Sequence, residues 1–121
     1  MKYMLLVHHS ERVLNGLSET ELQQMRAESV ELANQIDSTG RYVDAAPLHP
    51  ASIATCVRVR DGKRMVTDGP FAETREQLGG YFLINARDLD EAIEVAGQVP
   101  GARIGTVEIR PVIELAGLPK R

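Results

Sequence analysis

The chain is poor in the features that most directly indicate a function. Cys56 is its single cysteine, so no intrachain disulfide can form, and its apolar neighbours predict a small buried hydrophobe. The 14 Lys+Arg residues are outnumbered by 17 Asp+Glu and are scattered, which argues against direct binding of nucleic acid. No apolar run approaches the ~20 residues of a membrane span, and a strand pattern begins at Lys2. We therefore expect a cytoplasmic protein with no signal peptide and no membrane partner.

The chain also lacks the motifs of familiar cofactor and metal sites. It has no Walker or Rossmann glycine pattern, no nucleophile elbow and no zinc, iron or calcium ligand spacing. His8 and His9 are adjacent, but neighbouring side chains of a strand point to opposite faces, so the two imidazoles cannot easily bind one metal. His49 lies in a loop between prolines and belongs either to a turn or to a pocket. We expect neither a metal nor an organic cofactor.

What is present is an alternation of strand and helix patterns. At 121 residues and 13.3 kDa the chain can bury one core, so we expect one domain over residues 1–121, with 115–121 as a tail. The predicted strands cover 2–9, 41–46, 53–60, 63–66, 79–86 and 106–112, and the predicted helices cover 18–40 and 88–99.

Short motifs set the ends of these elements. Ser18 and Glu21 predict a capping box at the start of the first helix, and Gly40 predicts its end. Ser29 falls on the apolar side of this helix, where its hydroxyl either bonds back to a carbonyl one turn earlier or lines a pocket. Asp61-Gly62 predicts a tight hairpin turn. The predicted inner face of the second helix consists of Leu89, Ala92, Ile93, Ala96 and Val99.

The order of the elements predicts an α+β fold of the ferredoxin-like type, βαββαβ with an inserted β-hairpin. Strands 2–9 and 79–86 carry apolar residues on both faces, as central strands do. Both helices fall on one face of the sheet, so the other apolar face needs a separate cover. Leaving large apolar side chains in water costs on the order of 1.5 to 3 kcal/mol each. We therefore expect a homodimer with facing sheets, a dimeric α+β barrel.

The most distinctive stretch is 66–81, with the sequence VTDGPFAETREQLGGY. Asp68-Gly69-Pro70 predicts a sharp turn, and the stretch ends at Gly79-Gly80, where absent side chains permit close approach of a backbone or a ligand. Paired carboxylates here could shift each other's pKa and act as acid and base; the alternative is a charged loop held by Glu–Arg pairs. The ionisable residues of the stretch are Asp68, Glu73, Arg75 and Glu76.

Six blocks, in order, carry a family resemblance: KYMLL (2–6), LHP (48–50), VRVRDGK (57–63), the stretch 66–81, DLDEA (88–92) and VEIRPV (107–112). Together they resemble the DGPF branch of the YCII-related proteins. The resemblance implies a dimeric α+β barrel related to muconolactone-isomerase-like domains. The wider family carries a His–Asp pair, but here the His position falls at Ser29 and 97–99 offers no Asp. Some members are fused to sigma factors, which implies a regulatory or ligand-sensing role.

Functions of different classes follow from these patterns. The first is a small-molecule binding or sensing homodimer, linked to transcription initiation through a sigma-factor-type protein partner. The alternative is a cofactor-free enzyme acting on a small polar or aromatic acid, with Asp68 or Glu73 as base and a histidine assisting. A structural interaction module is a third reading. The candidate catalytic residues are Asp68, Glu73, His8 and His9. The candidate ligand-binding residues are Ser29, Asp68, Phe71, Glu73, Arg75 and Tyr81.

Overall fold

The computed structural model describes residues 1–119 and contains a four-stranded sheet, a two-stranded sheet and three α-helices. The strands are β1 (Lys2–His9), β2 (Tyr42–Pro47), β3 (Thr55–Arg60), β4 (Lys63–Asp68), β5 (Gln77–Asn85) and β6 (Gly105–Pro111). The helices are α1 (Glu11–Asn15), α2 (Glu19–Ser38) and α3 (Leu89–Gln98), with 3-10 turns at Ala51–Ile53 and Pro100–Arg103. The predicted elements are all present with slightly displaced ends, whereas α1 was not predicted.

The larger sheet has the strand order β2-β5-β1-β6, and all its neighbouring strands are antiparallel. β1 and β5 lie at its centre, as their two-sided apolar pattern predicted. The arrangement is the mixed α+β, ferredoxin-like fold expected from the element order, with β3 and β4 inserted as a separate hairpin.

Helices α2 and α3 cover one face of this sheet. Leu5 of β1 and Ile84 of β5 are 0 % exposed and lie in one buried cluster with Ile36 of α2 and Val95 of α3. Side chains of opposite parity on the same strands, such as Leu6, are only half-buried. The core therefore lies on one side of the sheet. We call the opposite side the open face; its central residues are Met4, Leu6, His8, Tyr81 and Leu83.

Helix α2 begins and ends where its capping residues predict. The Ser18 hydroxyl accepts a hydrogen bond from the Glu21 amide, and the Glu21 carboxylate accepts one from the Ser18 amide, both at 3.1 Å. Gly40 has φ +74°, a conformation that glycine adopts without a steric cost. The Ser29 hydroxyl donates to the Met25 carbonyl at 3.0 Å, the back-bonding alternative considered for this residue.

The predicted inner face of α3 is partly wrong. Leu89 and Ile93 are each 50 % exposed, and Val95, which was not assigned to that face, is 2 % exposed. The buried stripe follows the i, i+3, i+4, i+7 spacing from Ala92, which leaves Ile93 to one side of it. Leu89 is the first residue of the helix, and nothing in the structure explains its exposure. The buried residues are Ala92, Val95, Ala96 and, just after the helix, Val99.

The β3–β4 hairpin projects its side chains into solvent. Its turn residues Asp61 and Gly62 have φ of 51° and 75°, as the Asp-Gly signal requires. Every residue of the two strands except Cys56 is exposed. Val57 and Val66 are paired across the strands, so they share one face of the hairpin, and Cys56 lies on the other. The hairpin thus carries apolar surface that its own two strands leave uncovered.

Glu91 predicts how stability responds to acid. Its carboxylate accepts a hydrogen bond from Arg87 at 2.6 Å and lies 3.6 Å from the guanidinium of Arg41, which joins α3 to the start of β2. The Arg87 hydrogen bond holds the pKa of Glu91 below its ordinary value of 4.5, so the ionised form is favoured in the folded state. This stabilisation is complete above the ordinary pKa and is lost as pH falls through the lowered one.

We therefore expect Glu91→Gln to lower the free energy of unfolding at pH 7, with a difference from the unmodified protein that shrinks below pH 4.5. Urea unfolding followed by circular dichroism at several pH values measures this difference. Glu31→Gln, at an exposed position on α2, is the matched control for the loss of a carboxylate. A difference that stays constant down to acid pH would contradict the ion-pair explanation.

Candidate functional site

Two polar pairs interrupt the apolar open face on either side of Leu6. Leu6 lies opposite Tyr81 on β5 and opposite Glu108 on β6. The Tyr81 hydroxyl donates to the carboxylate of Asp44 on β2 at 2.7 Å, and His8 Nε2 lies 3.0 Å from a carboxylate oxygen of Glu108. A phenol and an imidazole, each bonded to a carboxylate, therefore flank an aliphatic centre.

The Tyr81–Asp44 hydrogen bond changes the acidity of the phenol. The pKa of Tyr81 is raised above its ordinary value of 10.0, first because the neutral hydroxyl donates to Asp44, and then because of partial burial and the nearby negative charge. Tyr81, a predicted ligand-binding residue, is thus held as a neutral hydrogen-bond donor. Its side chain lies on the open face, as does that of His8, a predicted catalytic residue.

Glycines create the space at the end of β1 in which His9 sits. A β-bulge interrupts the β1–β5 register between Val7 and His8, and a Cβ on Gly79 would overlap the His9 imidazole. On the other side, a Cβ on Gly105 would overlap the His8 carbonyl oxygen. The close approach predicted at Gly79 is therefore made by a side chain of the same chain. His9 Nδ1 is buried and has no hydrogen-bond partner among the described residues.

An apolar cleft lies where the hairpin joins the sheet. Its volume is about 520 Å³, and it opens between the 3-10 turn after β2, the base of the hairpin and the first residues of β5. Phe71, a predicted ligand-binding residue, lines it and is 80 % exposed. His49 also lines it, the pocket alternative considered for this residue. Other side chains that line the cleft are those of Leu48, Ile53, Cys56 and Leu78.

Cys56 is not the fully buried hydrophobe that its neighbours predict. It is half-buried, it lines the apolar cleft, and its thiol donates to the Gly69 carbonyl at 3.2 Å. The prediction failed because the strand that carries Cys56 belongs to an exposed hairpin rather than to the core sheet. The reactivity of this thiol should therefore depend on whether the cleft is occupied.

A second pocket of about 330 Å³ adjoins the cleft, and we call it the polar pocket because all its lining residues except Ala51 and Pro70 are polar or charged. Two predicted ligand-binding residues, Glu73 and Arg75, line it together with the segment Ser10–Arg12 at the start of α1. The Glu11 carboxylate accepts a hydrogen bond from the Ala51 amide, which ties α1 to the 3-10 turn. The remaining polar residues of the pocket are Ser52, Thr74 and Gln77.

The loop 69–76 is held by hydrogen bonds from side chains to backbone carbonyls rather than by the Glu–Arg pairs considered from the sequence. Within residues 1–119, Arg75 forms no ion pair with Glu73 or Glu76. Instead, the side-chain amide of Gln77 donates to the Ala72 carbonyl at 3.1 Å, and the Thr74 hydroxyl donates to the Glu76 carbonyl at 2.6 Å. The charges of Glu73 and Arg75 are therefore left available to the pocket.

The predicted site residues do not form one cluster. Asp68 pairs with Thr55 at the base of the hairpin and lines neither cavity, and Ser29 lies on α2 away from both. His8 and Tyr81 lie on the open face, while Phe71, Glu73 and Arg75 line the two cavities. The residues that sequence reasoning missed are Ser10, Glu11, Arg12, Asp44 and Glu108; the polar alternation along β6 was the available signal for Glu108.

No group of three or more His, Cys, Asp or Glu side chains within 1–119 is placed to hold a metal ion. In the same part of the chain, no helix has the length and apolar character needed to cross a membrane.

Comparison with known proteins gives two findings. The model of the YCII-related domain family matches residues 1–116. An uncharacterized protein of Rhizobium meliloti (strain 1021) is 33 % identical over 114 residues, which is 93 % of this chain and 92 % of that protein. The family match extends across the sheet, the hairpin and the two cavities.

The Tyr81–Asp44 pair predicts a measurable titration. We expect Asp44→Asn to lower the pKa of Tyr81 toward its ordinary value of 10.0, because the variant removes the charged acceptor that favours the neutral phenol. NMR of ring-labelled tyrosine measures the pKa, and Tyr81→Phe identifies the resonance. Asp37→Asn on α2 serves as the control for loss of an unrelated carboxylate. An unchanged Tyr81 pKa in Asp44→Asn would contradict the pairing.

Proposed function

The chain belongs to the YCII-related family, and from this premise we propose that it is a small-molecule binding or sensing homodimer. The observation that carries the proposal is the apolar cleft of about 520 Å³ at the base of the hairpin. Ligand sites in proteins are concave, mostly apolar and roughly 300–1,000 Å³ in volume. The cleft has this size and this lining, which supports a role in holding a small organic molecule.

Binding in the cleft would cover side chains that folding leaves in water. Phe71 is 80 % exposed, Ile53 65 % and Leu48 47 %. Removing apolar surface from water contributes roughly 25 cal/mol per Å², so a ligand that covers these side chains gains on the order of a few kcal/mol. This gain favours a ligand with an apolar body.

The second copy in the proposal covers the hairpin and the open face. Val57, Val59 and Val66 share one face of the hairpin and are 57–61 % exposed. A lone two-stranded hairpin is only marginally stable in water, so this one needs a packing partner. A two-fold axis sets the two open faces against each other and lets each hairpin reach over one end of the other copy, so the same chain supplies all of these apolar surfaces. The product is the dimeric α+β barrel expected from the sequence.

For the sensing role, the proposed protein partner is of the sigma-factor type, with a link to transcription initiation. This part of the proposal is supported by the resemblance of the stretch 66–81 to the DGPF branch. The hairpin lines the cleft through Cys56 and carries the valine face, so it is the element through which occupancy would reach a partner.

A second candidate function is a cofactor-free acid–base enzyme acting on a small polar or aromatic acid. One observation favours it: Glu73 lines the polar pocket and forms no ion pair within residues 1–119. A carboxylate so placed can accept a proton from a bound molecule. Asp68, the other candidate base, lines neither cavity, so this candidate requires Glu73. An enzyme converts the bound acid over time, whereas a sensor releases it unchanged, and one-dimensional NMR of the ligand separates the two.

Occupancy of the cleft can be followed through Cys56, the only thiol of the chain. We expect the apolar dye N-phenyl-1-naphthylamine to slow alkylation of Cys56 by iodoacetamide severalfold, because dye and reagent compete for the cleft. Phe71→Ala should weaken dye binding by roughly 5- to 30-fold, from about 1–2 kcal/mol of lost apolar contact. Mass spectrometry measures alkylation, and fluorescence measures binding.

Leu118→Ala, an exposed apolar residue outside the cleft, is the matched control and should leave dye binding unchanged. Dye binding that leaves the alkylation rate of Cys56 unaltered would contradict the cleft as the binding site.

The assembly is tested by placing a charge on the valine face. We expect the unmodified protein to sediment at twice 13.3 kDa at low micromolar concentration and Val57→Lys to weaken the dimer by roughly 10-fold or more, because both copies lose an interface valine. Val30→Lys on α2 is the control, since Val30 is 62 % exposed and Val57 is 60 % exposed. Sedimentation of the unmodified protein only as a 13.3 kDa species would overturn the homodimer.

A further inference from the structure

The apolar cleft and the polar pocket are neighbours with a common wall. Ala51, Pro70 and Gln77 line both of them. A molecule seated among Phe71 and Leu78 therefore needs to extend only past this wall to reach the polar pocket. The two cavities together offer one apolar compartment and one polar compartment to a single ligand.

Two arginines line the polar pocket without a carboxylate partner among residues 1–119. Arg12 and Arg75 both line it, and neither forms an ion pair within residues 1–119. They come from separate parts of the chain, α1 and the loop before β5, so only the fold brings them together. A guanidinium presents a planar set of donors that matches a carboxylate or a similar oxyanion. Two of them at one pocket favour an anionic group.

The pocket also has two acidic residues, so the arginines act through directed hydrogen bonds rather than through an excess of positive charge. Glu11 lines it, but its carboxylate accepts the hydrogen bond of the Ala51 amide. Glu73 is the second acid, and it lies on the same wall as Arg75 without pairing with it. Near Arg75, Thr74 uses its hydroxyl to donate to the Glu76 carbonyl, whereas Ser52 adds another hydroxyl to the lining. The guanidinium groups are thus the unpaired charges best suited to an incoming oxyanion.

We infer that the ligand is an amphipathic organic acid whose apolar body occupies the apolar cleft and whose oxyanion is bound by Arg12 and Arg75 in the polar pocket. This inference rests on the proposed small-molecule binding function and adds the chemical class of the ligand. The hydrophobic compartment supplies affinity, and the two arginines select the charged end group.

A pair of dyes tests the class directly. 1-Anilinonaphthalene-8-sulfonate and N-phenyl-1-naphthylamine share the same ring system, but only the first carries an oxyanion. We expect the sulfonate dye to bind at least about 10-fold more tightly than the neutral dye, and we expect both to protect Cys56 from alkylation. Arg12→Gln and Arg75→Gln should each weaken the sulfonate dye by roughly 5- to 10-fold and leave the neutral dye unchanged.

Two controls separate a built site from general charge. Arg26→Gln removes an exposed arginine of α2 that lines neither cavity and should alter neither dye. Arg75→Lys keeps the charge without the fork of donors and should retain part of the affinity for the sulfonate dye. Because Arg12 and Arg75 are exposed, their variants are expected to keep the melting temperature of the unmodified protein.

The outcomes distinguish this inference from the function on which it rests. Equal affinity for the two dyes with Cys56 protected would overturn the anionic ligand and leave the cleft as a binding site. A loss of sulfonate binding in Arg26→Gln equal to that in Arg12→Gln would overturn the specific role of the pocket arginines. Failure of both dyes to bind or to protect Cys56 would overturn the proposed binding function and this inference with it.

Discussion

The structure depends on one constraint: the two central strands of the sheet carry apolar residues on both faces, but helices cover only one face of the sheet. Leu5 and Ile84 are fully buried beneath α2 and α3, whereas their neighbours Leu6 and Leu83 are half-buried on the open face. Right-handed crossovers place both helices on the same side, so the chain cannot cover the other face with its own helices. The exposed valine face of the hairpin adds to the uncovered apolar surface, and the homodimer is proposed as its cover.

Local signals predicted most of the fold because they act within a few residues. The capping box at Ser18 and the Asp61-Gly62 turn each need only neighbouring backbone groups, and both are present as predicted. The central positions of β1 and β5 followed from two-sided apolarity, which is also a local pattern. The error at Ile93 has a different origin, since the side of α3 that is buried depends on how the helix lies on the sheet, and 3.6-residue periodicity alone does not fix this.

The candidate site was harder to predict because long-range packing assembles it. Arg12 and Arg75 are far apart in sequence, and the unpredicted helix α1 brings the first of them to the loop that carries the second. Charge density in the stretch 66–81 suggested that Asp68 and Glu73 would act together. The strand β4 continues to Asp68, however, and this pairing with Thr55 keeps it at the hairpin base while Glu73 reaches the polar pocket. Asp68 and Glu73 are therefore close in sequence but do not line the same pocket.

The hairpin connects the two parts of the proposed function. One of its faces contributes Cys56 to the apolar cleft, and the other carries the valines of the proposed interface. Alternate side chains of a strand lie on opposite faces of the same backbone. The hairpin therefore cannot shift at its cleft face without shifting at its valine face. If the proposed dimer interface fixes the position of the hairpin, it also sets the width of the cleft. By thermodynamic linkage, a ligand that favours one width then changes the dimerisation constant by the same factor by which dimerisation changes the ligand affinity. In the proposed function, assembly and ligand binding are therefore reciprocal, because both depend on the position of the hairpin.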